Sequence, residues 1–223
     1  MCFSATASFV SGSVLTVAGA ISLSAAKKNK QKLFAAIPMI FGIQQFLEGL
    51  LWLVLPDPSN KESIRLFTLL FLFFAQVVWP LWVPLSVWVY EEDVKRKNTL
   101  FIFLIIGIIV AGYLAFCILN FDVSAVMKKN HIQYQLSFIQ KIVPIIGWLY
   151  FITTVIPPFI STCHRMRILG TIIFLSFVVS KIYFNDYLIS VWCFFAAILS
   201  ILVILVVKNV PLGRFVNTKT HTN

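Results

Sequence analysis

The chain has 223 residues, of which 60% are hydrophobic and 12% charged, whereas a soluble domain carries about 25% charged residues. That balance excludes a soluble globular surface and leaves a helical bundle in lipid, where each backbone N–H and C=O is paired within its own helix. The formal net charge of +10 comes from 18 Lys and Arg in short runs between apolar segments. Such runs read as orientation signals and exclude a nucleic-acid partner, which needs a continuous basic face.

Seven apolar stretches, at 8–26, 33–55, 66–90, 100–119, 142–160, 168–184 and 187–207, predict an all-α bundle of seven transmembrane helices. Each is long enough to cross about 30 Å of hydrocarbon. They form one domain over 1–209, followed by a polar cytoplasmic tail at 210–223. The chain opens Met1-Cys2-Phe3-Ser4-Ala5. Loss of the initiator methionine would give Cys2 both a thiol and an α-amine, the parts of a nucleophile with its own base. S-acylation or ordinary packing are the other readings of Cys2. In the first span Ser8, Gly12, Thr16 and Ala20 recur every four residues. Small residues at that spacing suit close helix–helix approach and predict a span inside the bundle.

The second span carries Gln44, Glu48 and Trp52 on one helix face, with Gln45 beside them. A carboxylate in hydrocarbon costs about 2.5–3.5 kcal/mol on insertion scales and persists only with a compensating reason. Glu48 therefore reads in two ways. It binds a cation, a proton or a ligand's polar head, or it is a protonated acid hydrogen-bonded to another helix to fix packing. The third span contains Trp79-Pro80-Leu81-Trp82-Val83-Pro84. Each proline lacks an N–H and crowds the carbonyl four residues back, so Gln76 and Pro80 are expected to lose their helical partners. Trp82 and Trp88 suit the membrane interface.

Segment 120–141 is the one connection long enough to hold structure of its own. Ile132, Tyr134, Leu136 and Phe138 alternate with polar residues, as do Phe121, Val123 and Ala125, with Lys128-Lys129-Asn130 between. That is strand periodicity and predicts a short β-hairpin over the outer mouth of the bundle, with an irregular loop carrying interfacial apolar residues as the other reading. His131, at its start, is a candidate acid–base group. In the last span Trp192 has an N–H that wants an acceptor when buried, and Cys193 adjoins it. His164 reads as a helix end and His221 as tail. No metal site is expected, because no His-x-x-x-His pair occurs and the four cysteines lack ligand spacing. No cofactor is implied.

Lys and Arg between the spans divide twelve against six, which places the N-terminus outside and the C-terminus in the cytoplasm.

Five stretches carry a family resemblance: MCFSATASF, Gln44 to Gly49, Trp79 to Pro84, His131 to Tyr134, and Ser190 to Ser200. With them the chain resembles a family of uncharacterised bacterial multi-pass membrane proteins, over residues 2 to about 200. The resemblance implies a seven-helix protein of the bacterial inner membrane and groups Cys2, Glu48, Trp79, His131 and Trp192 in one site. It supplies no activity.

The function expected from these readings is binding or movement of a small molecule or ion through an outward-facing polar pocket. Gln44, Gln45, Glu48, Trp79 and Trp192 would line it. The alternative is an intramembrane enzyme acting on a lipid or small amphiphile, with Cys2 or His131 in the chemistry. A sensor acting through the basic loops is a third reading. A retinal photoreceptor is disfavoured, since span 187–207 has no lysine, and no internal repeat supports a two-repeat transporter.

Overall fold

The protein is described by a computed structural model, covering residues 4–128 and 131–208, with the backbone alone for 139–144. Cys2, Lys129, Asn130 and the 210–223 tail lie outside the described residues.

Six helical runs are long and apolar enough to cross a membrane, namely Ala5–Ala25, Asn29–Val54, Lys61–Tyr90, Val94–Asn120, His164–Tyr183 and Asn185–Val207. Most extend beyond the apolar stretches into polar ends. Helix α1 (Ala5–Ala25) starts on Ser4, whose hydroxyl accepts from the N–H of Ala7. The second run is broken into α2 (Asn29–Ala35) and α3 (Ile37–Val54), with Pro38 in the first turn of α3. Pro38 cannot donate to the carbonyl of Phe34, so the helix restarts there. The expected span at 142–160 is likewise divided, into α7 (Ile139–Val155) and α8 (Pro157–Ile160). Pro157 and Pro158 remove the N–H groups that would continue α7, and neither piece alone reaches spanning length.

Helices α1 and α3 make the most extensive pairing. A Cβ on Gly19 would fall 2.6 Å from the backbone nitrogen of Met39, and one on Gly42 would fall 2.8 Å from Thr16 Oγ1. Only glycine permits backbones this near. The contact stripe departs from the expected four-residue spacing. Ser8, Gly12, Leu15, Gly19 and Ser22 are buried, whereas Ala20 is exposed. Alternating steps of four and three keep a stripe on one side of a helix, because 3.6 residues complete a turn. The expectation that α1 sits inside the bundle is also corrected. One face packs on α3, while Val10, Val14, Val17 and Ile21 are exposed.

The third run comprises α4 (Lys61–Leu72), a π-helical turn (Phe73–Val78) and α5 (Trp79–Tyr90). The π turn alters which carbonyl loses its partner. Trp79 N–H bonds back five residues to Phe74, so in that register the carbonyl facing Pro80 belongs to Ala75, not Gln76. The hydroxyl of Tyr150 on α7 donates to Ala75 O at 2.6 Å. The freed carbonyl of Pro80 lies against Gly107 of α6 (Val94–Asn120), where any Cβ would overlap it.

Strands β1 (Val123–Lys128) and β2 (His131–Leu136) form the expected hairpin, antiparallel from Val123↔Leu136 to Lys128↔His131. Ala125, Ile132, Tyr134 and Leu136 are buried against Leu51, Trp52, Phe71 and Leu72. The rings of Phe71 and Tyr134 stack at 4.7 Å with planes 1° apart. Phe121, first of the alternating apolar residues, precedes β1 and is exposed. The hairpin thus closes one end of the bundle. Helix α9 (His164–Tyr183), a 3-10 turn (Asn185–Tyr187), α10 (Leu188–Leu199), a second 3-10 turn (Ser200–Leu202) and α11 (Val203–Val207) complete the chain.

The opposite end is tied by Glu91, which is 2% exposed. Its carboxylate accepts from the N–H and hydroxyl of Thr162, at 2.7 and 2.8 Å, and from the N–H groups of Glu92 and Asp93, both at 3.1 Å. Arg96 beside it donates to the carbonyl of Ile160 at 2.8 Å, and Glu92 pairs with Lys30. Burial pushes the Glu91 carboxyl up, and the bonds from Thr162 and Asp93 outweigh it, holding the group below its ordinary 4.5. A depressed carboxyl contributes stability above its unfolded value and loses it as pH falls through the folded one. Glu91→Gln should therefore cost about 1–3 kcal/mol at pH 7. In thermal unfolding, its gap to wild type should hold down to about pH 5 and shrink below 4.5. A gap that widens in acid would contradict this assignment.

Candidate functional site

The glutamine–glutamate face of α3 places three polar side chains inside the bundle. Gln44, Gln45 and Glu48 are each fully buried, and Trp52 is nearly so. They are held inward because α3 has α1 on one side and α10 on another. A group in hydrocarbon without a partner costs several kcal/mol, so each polar atom here calls for one on a neighbouring helix.

Glu48 meets that demand across the bundle. Ser190, in the first turn of α10, donates its hydroxyl to Glu48 Oε1 at 2.6 Å. From the same helix, Gln45 Nε2 approaches Glu48 Oε2 at 3.4 Å, a long bond. Gln45 Oε1 in turn lies 3.2 Å from the hydroxyl of Ser11 on α1. That hydroxyl has closer acceptors in the carbonyls of Ala7 and Ser8, at 2.8 and 3.0 Å, so its tie to Gln45 is the weakest of the three.

A second branch runs through Gln44. Trp79 donates its indole N–H to Gln44 Oε1 at 2.7 Å, and its ring stacks on Phe41 with centroids 3.8 Å apart. The π turn and Pro80 set this geometry by starting α5 at Trp79. Cys193 of α10 is buried and shares a cavity wall with Trp79. Gln44 Nε2 has no hydrogen-bond partner among the described residues, and the same holds for the indole nitrogens of Trp52 and Trp192. A buried donor left unpaired costs about 1–3 kcal/mol, which makes each of the three a place where a ligand's acceptor would be favoured.

Two cavities border this cluster. One, of about 70 Å³, lies among Phe41, Trp79, Tyr150, Thr154, Trp192 and Cys193. The other, of about 540 Å³, lies nearer the hairpin and also has Tyr150, Trp192 and Cys193 in its wall. Glu48 lines neither. Trp192 of α10 meets Tyr150 and Phe177 edge-on.

The expected site residues therefore divide. Gln44, Gln45, Glu48 and Trp79 come together, and Trp192 stands in the cavity wall. His131 is at the hairpin, its ring stacked on Tyr187 at 4.6 Å and edge-on to Phe184 at 5.7 Å. Burial holds its imidazole below the ordinary value. Cys2 lies outside the described residues. Sequence reasoning gave no role to Ser190 or Tyr150. A serine in an apolar span usually bonds its own helix's carbonyls, and nothing in the chain marks Ser190 as the exception. No group of three or more His, Cys, Asp or Glu placed to hold a metal ion occurs among the described residues.

A family model of a family of unknown function, DUF6629, matches residues 1–217. The chain belongs to that family. It matches no curated protein and no solved structure. Membership carries no activity with it.

Trp79→Phe keeps the ring on Phe41 and removes the donor to Gln44. It should lower stability by about 1–3 kcal/mol. Trp148→Phe, at an exposed ring, should stay within about 0.5 kcal/mol. Unfolding of the purified protein in detergent measures both, and equal effects would contradict the role given to the Trp79 N–H.

Proposed function

We propose that this chain is a seven-span protein of a bacterial inner membrane, with its N-terminus outside and C-terminus in the cytoplasm. In this reading it binds or moves a small molecule or ion at a polar centre around Glu48, reached from the outer side. The orientation is supported by the twelve-to-six division of Lys and Arg. The seventh span in this reading is α7 together with α8, which cover residues 139–160.

The observation that carries the proposal is a fully buried carboxylate bonded by Ser190 and Gln45, with the unpaired amide nitrogen of Gln44 one step along the same face. Intramembrane carboxylates that serve packing alone are costly to keep, and those that persist concentrate at ligand and ion pathways. Trp79 orients the Gln44 amide so that its nitrogen remains available. For the catalytic alternative, the ring of His131 is already engaged between aromatic neighbours. Binding is therefore the reading preferred over chemistry.

The test is ligand-dependent stabilisation of the purified protein. Anything that binds the folded state alone raises stability, by about 2.7 kcal/mol at a hundred times its Kd. Protons, Li⁺, Na⁺ and K⁺ are the first probes, read as a shift in Tm. We expect at least one to raise the Tm of wild type and to lose its effect in Glu48→Gln, which keeps the acceptor for Ser190. A response equal in Glu48→Gln and wild type would overturn the proposal, as would no response to any probe.

A further inference from the structure

The larger cavity has a character of its own. Its volume of about 540 Å³ falls within the range of sites that enclose a small molecule, about 300–1,000 Å³. Its walls are largely apolar, built from Leu114 of α6, Leu136 of β2, Phe151 of α7, and Phe177, Ile189 and Trp192 of α9 and α10, with Gln76 of the π turn also among them. Its rim is formed by three exposed residues, Gly147, Trp148 and Lys181. Exposed residues of α7 and α9 at the rim make the cavity a recess in the side of the bundle, where acyl chains would lie.

Lys181 gives the recess a sign. Its ammonium bonds Asn185 Oδ1 at 2.6 Å and has no carboxylate within ion-pairing distance among the described residues. A lysine near the end of an apolar helix places its head at the interface, where it is free to meet an anionic group. At the inner end of the recess, the indole nitrogen of Trp192 is buried with no partner among the described residues. Among the described residues, the space therefore offers one positive charge at the mouth and an aromatic, apolar shaft behind it.

We propose that this recess binds a single-chain, singly charged amphiphile, a long-chain fatty acid. Its carboxylate would sit on Lys181 and its chain between α7 on one side and α9 and α10 on the other. Lys181, the one cation among the described lining residues, matches one carboxylate. The inference does not require Glu48 to bind anything, since Glu48 lines no part of the recess.

Gly147 allows a direct test. A Cβ there meets no atom of the described residues within 4 Å, so a larger side chain can be added without disturbing the backbone. Gly112 on α6 is equally open and lies outside the recess, which makes it a matched control. The probe is diazirine-labelled palmitate, photocrosslinked to the full-length protein in lipid nanodiscs and mapped by peptide mass spectrometry. Saturable labelling of recess residues is expected, competed by unlabelled palmitate. Gly147→Leu should reduce it by on the order of tenfold, and Gly112→Leu should leave it unchanged. Lys181→Gln should weaken competition by palmitate by about tenfold and leave competition by hexadecanol, which lacks the charge, as in wild type.

Labelling that does not saturate and spreads over all the open helix faces would mean ordinary bilayer contact and would overturn the proposal. So would wild-type labelling of Gly147→Leu, or an equal loss of palmitate and hexadecanol in Lys181→Gln. Should Gly147→Leu fail to fold, the exposed Lys181→Gln change decides by the same two readouts.

Discussion

A carboxyl group enclosed by helices must be met by donors from those helices, and in this protein that demand links elements far apart in the chain. The 2.6 Å bond from Ser190 to Glu48 joins residues separated by 142 positions and sets α10 against α3. Gln44 accepts from Trp79, so α5 is drawn to the same face. The three helices are thereby placed by polar atoms, in a medium where apolar contact alone gives little preference for one neighbour over another. The glycine-mediated approach of α1 to α3 then covers the remaining side of Gln45 and completes the enclosure.

The two prolines of the third run act through the same rule. Each frees a carbonyl at membrane depth, and each carbonyl is met differently. The π turn shifts the first to Ala75, where Tyr150 donates to it, and the second, on Pro80, rests against the Cα of Gly107. These local solutions shape the interior. Tyr150, once committed to Ala75, stands with Trp192 and Cys193 as the shared wall of the two cavities. The backbone chemistry of Pro80 thus decides where open space is left beside the Glu48 cluster.

Much of this was legible in the chain. Apolar length located six of the seven expected spans, the period-two pattern at 131–138 located the hairpin, and the four-residue recurrence of Gln44, Glu48 and Trp52 marked the polar face. What could not be read depended on three-dimensional choice. Ser190 resembles any serine in an apolar span until α10 is set beside α3. Glu91, amid Glu92, Asp93 and a run of basic residues, reads as a solvated loop, although it is buried and bonded to Thr162. The stripe on α1 followed steps of four and three because the helical period is 3.6, so a strict four-residue pattern drifted off the interface by Ala20. The π turn left no mark in composition, since it differs from an α turn only in which carbonyl Trp79 meets.

The account rests on Glu48 and Ser190 bonding each other inside the bundle. A double-mutant cycle with Glu48→Ala, Ser190→Ala and the combined change, read by unfolding in detergent, measures that interaction directly. Contacting polar residues couple by about 0.5–3 kcal/mol, and a buried pair this short is expected at about 1 kcal/mol or above. Additive effects, with coupling near zero, would show that the two side chains do not meet and would contradict the arrangement on which the proposed polar centre is built.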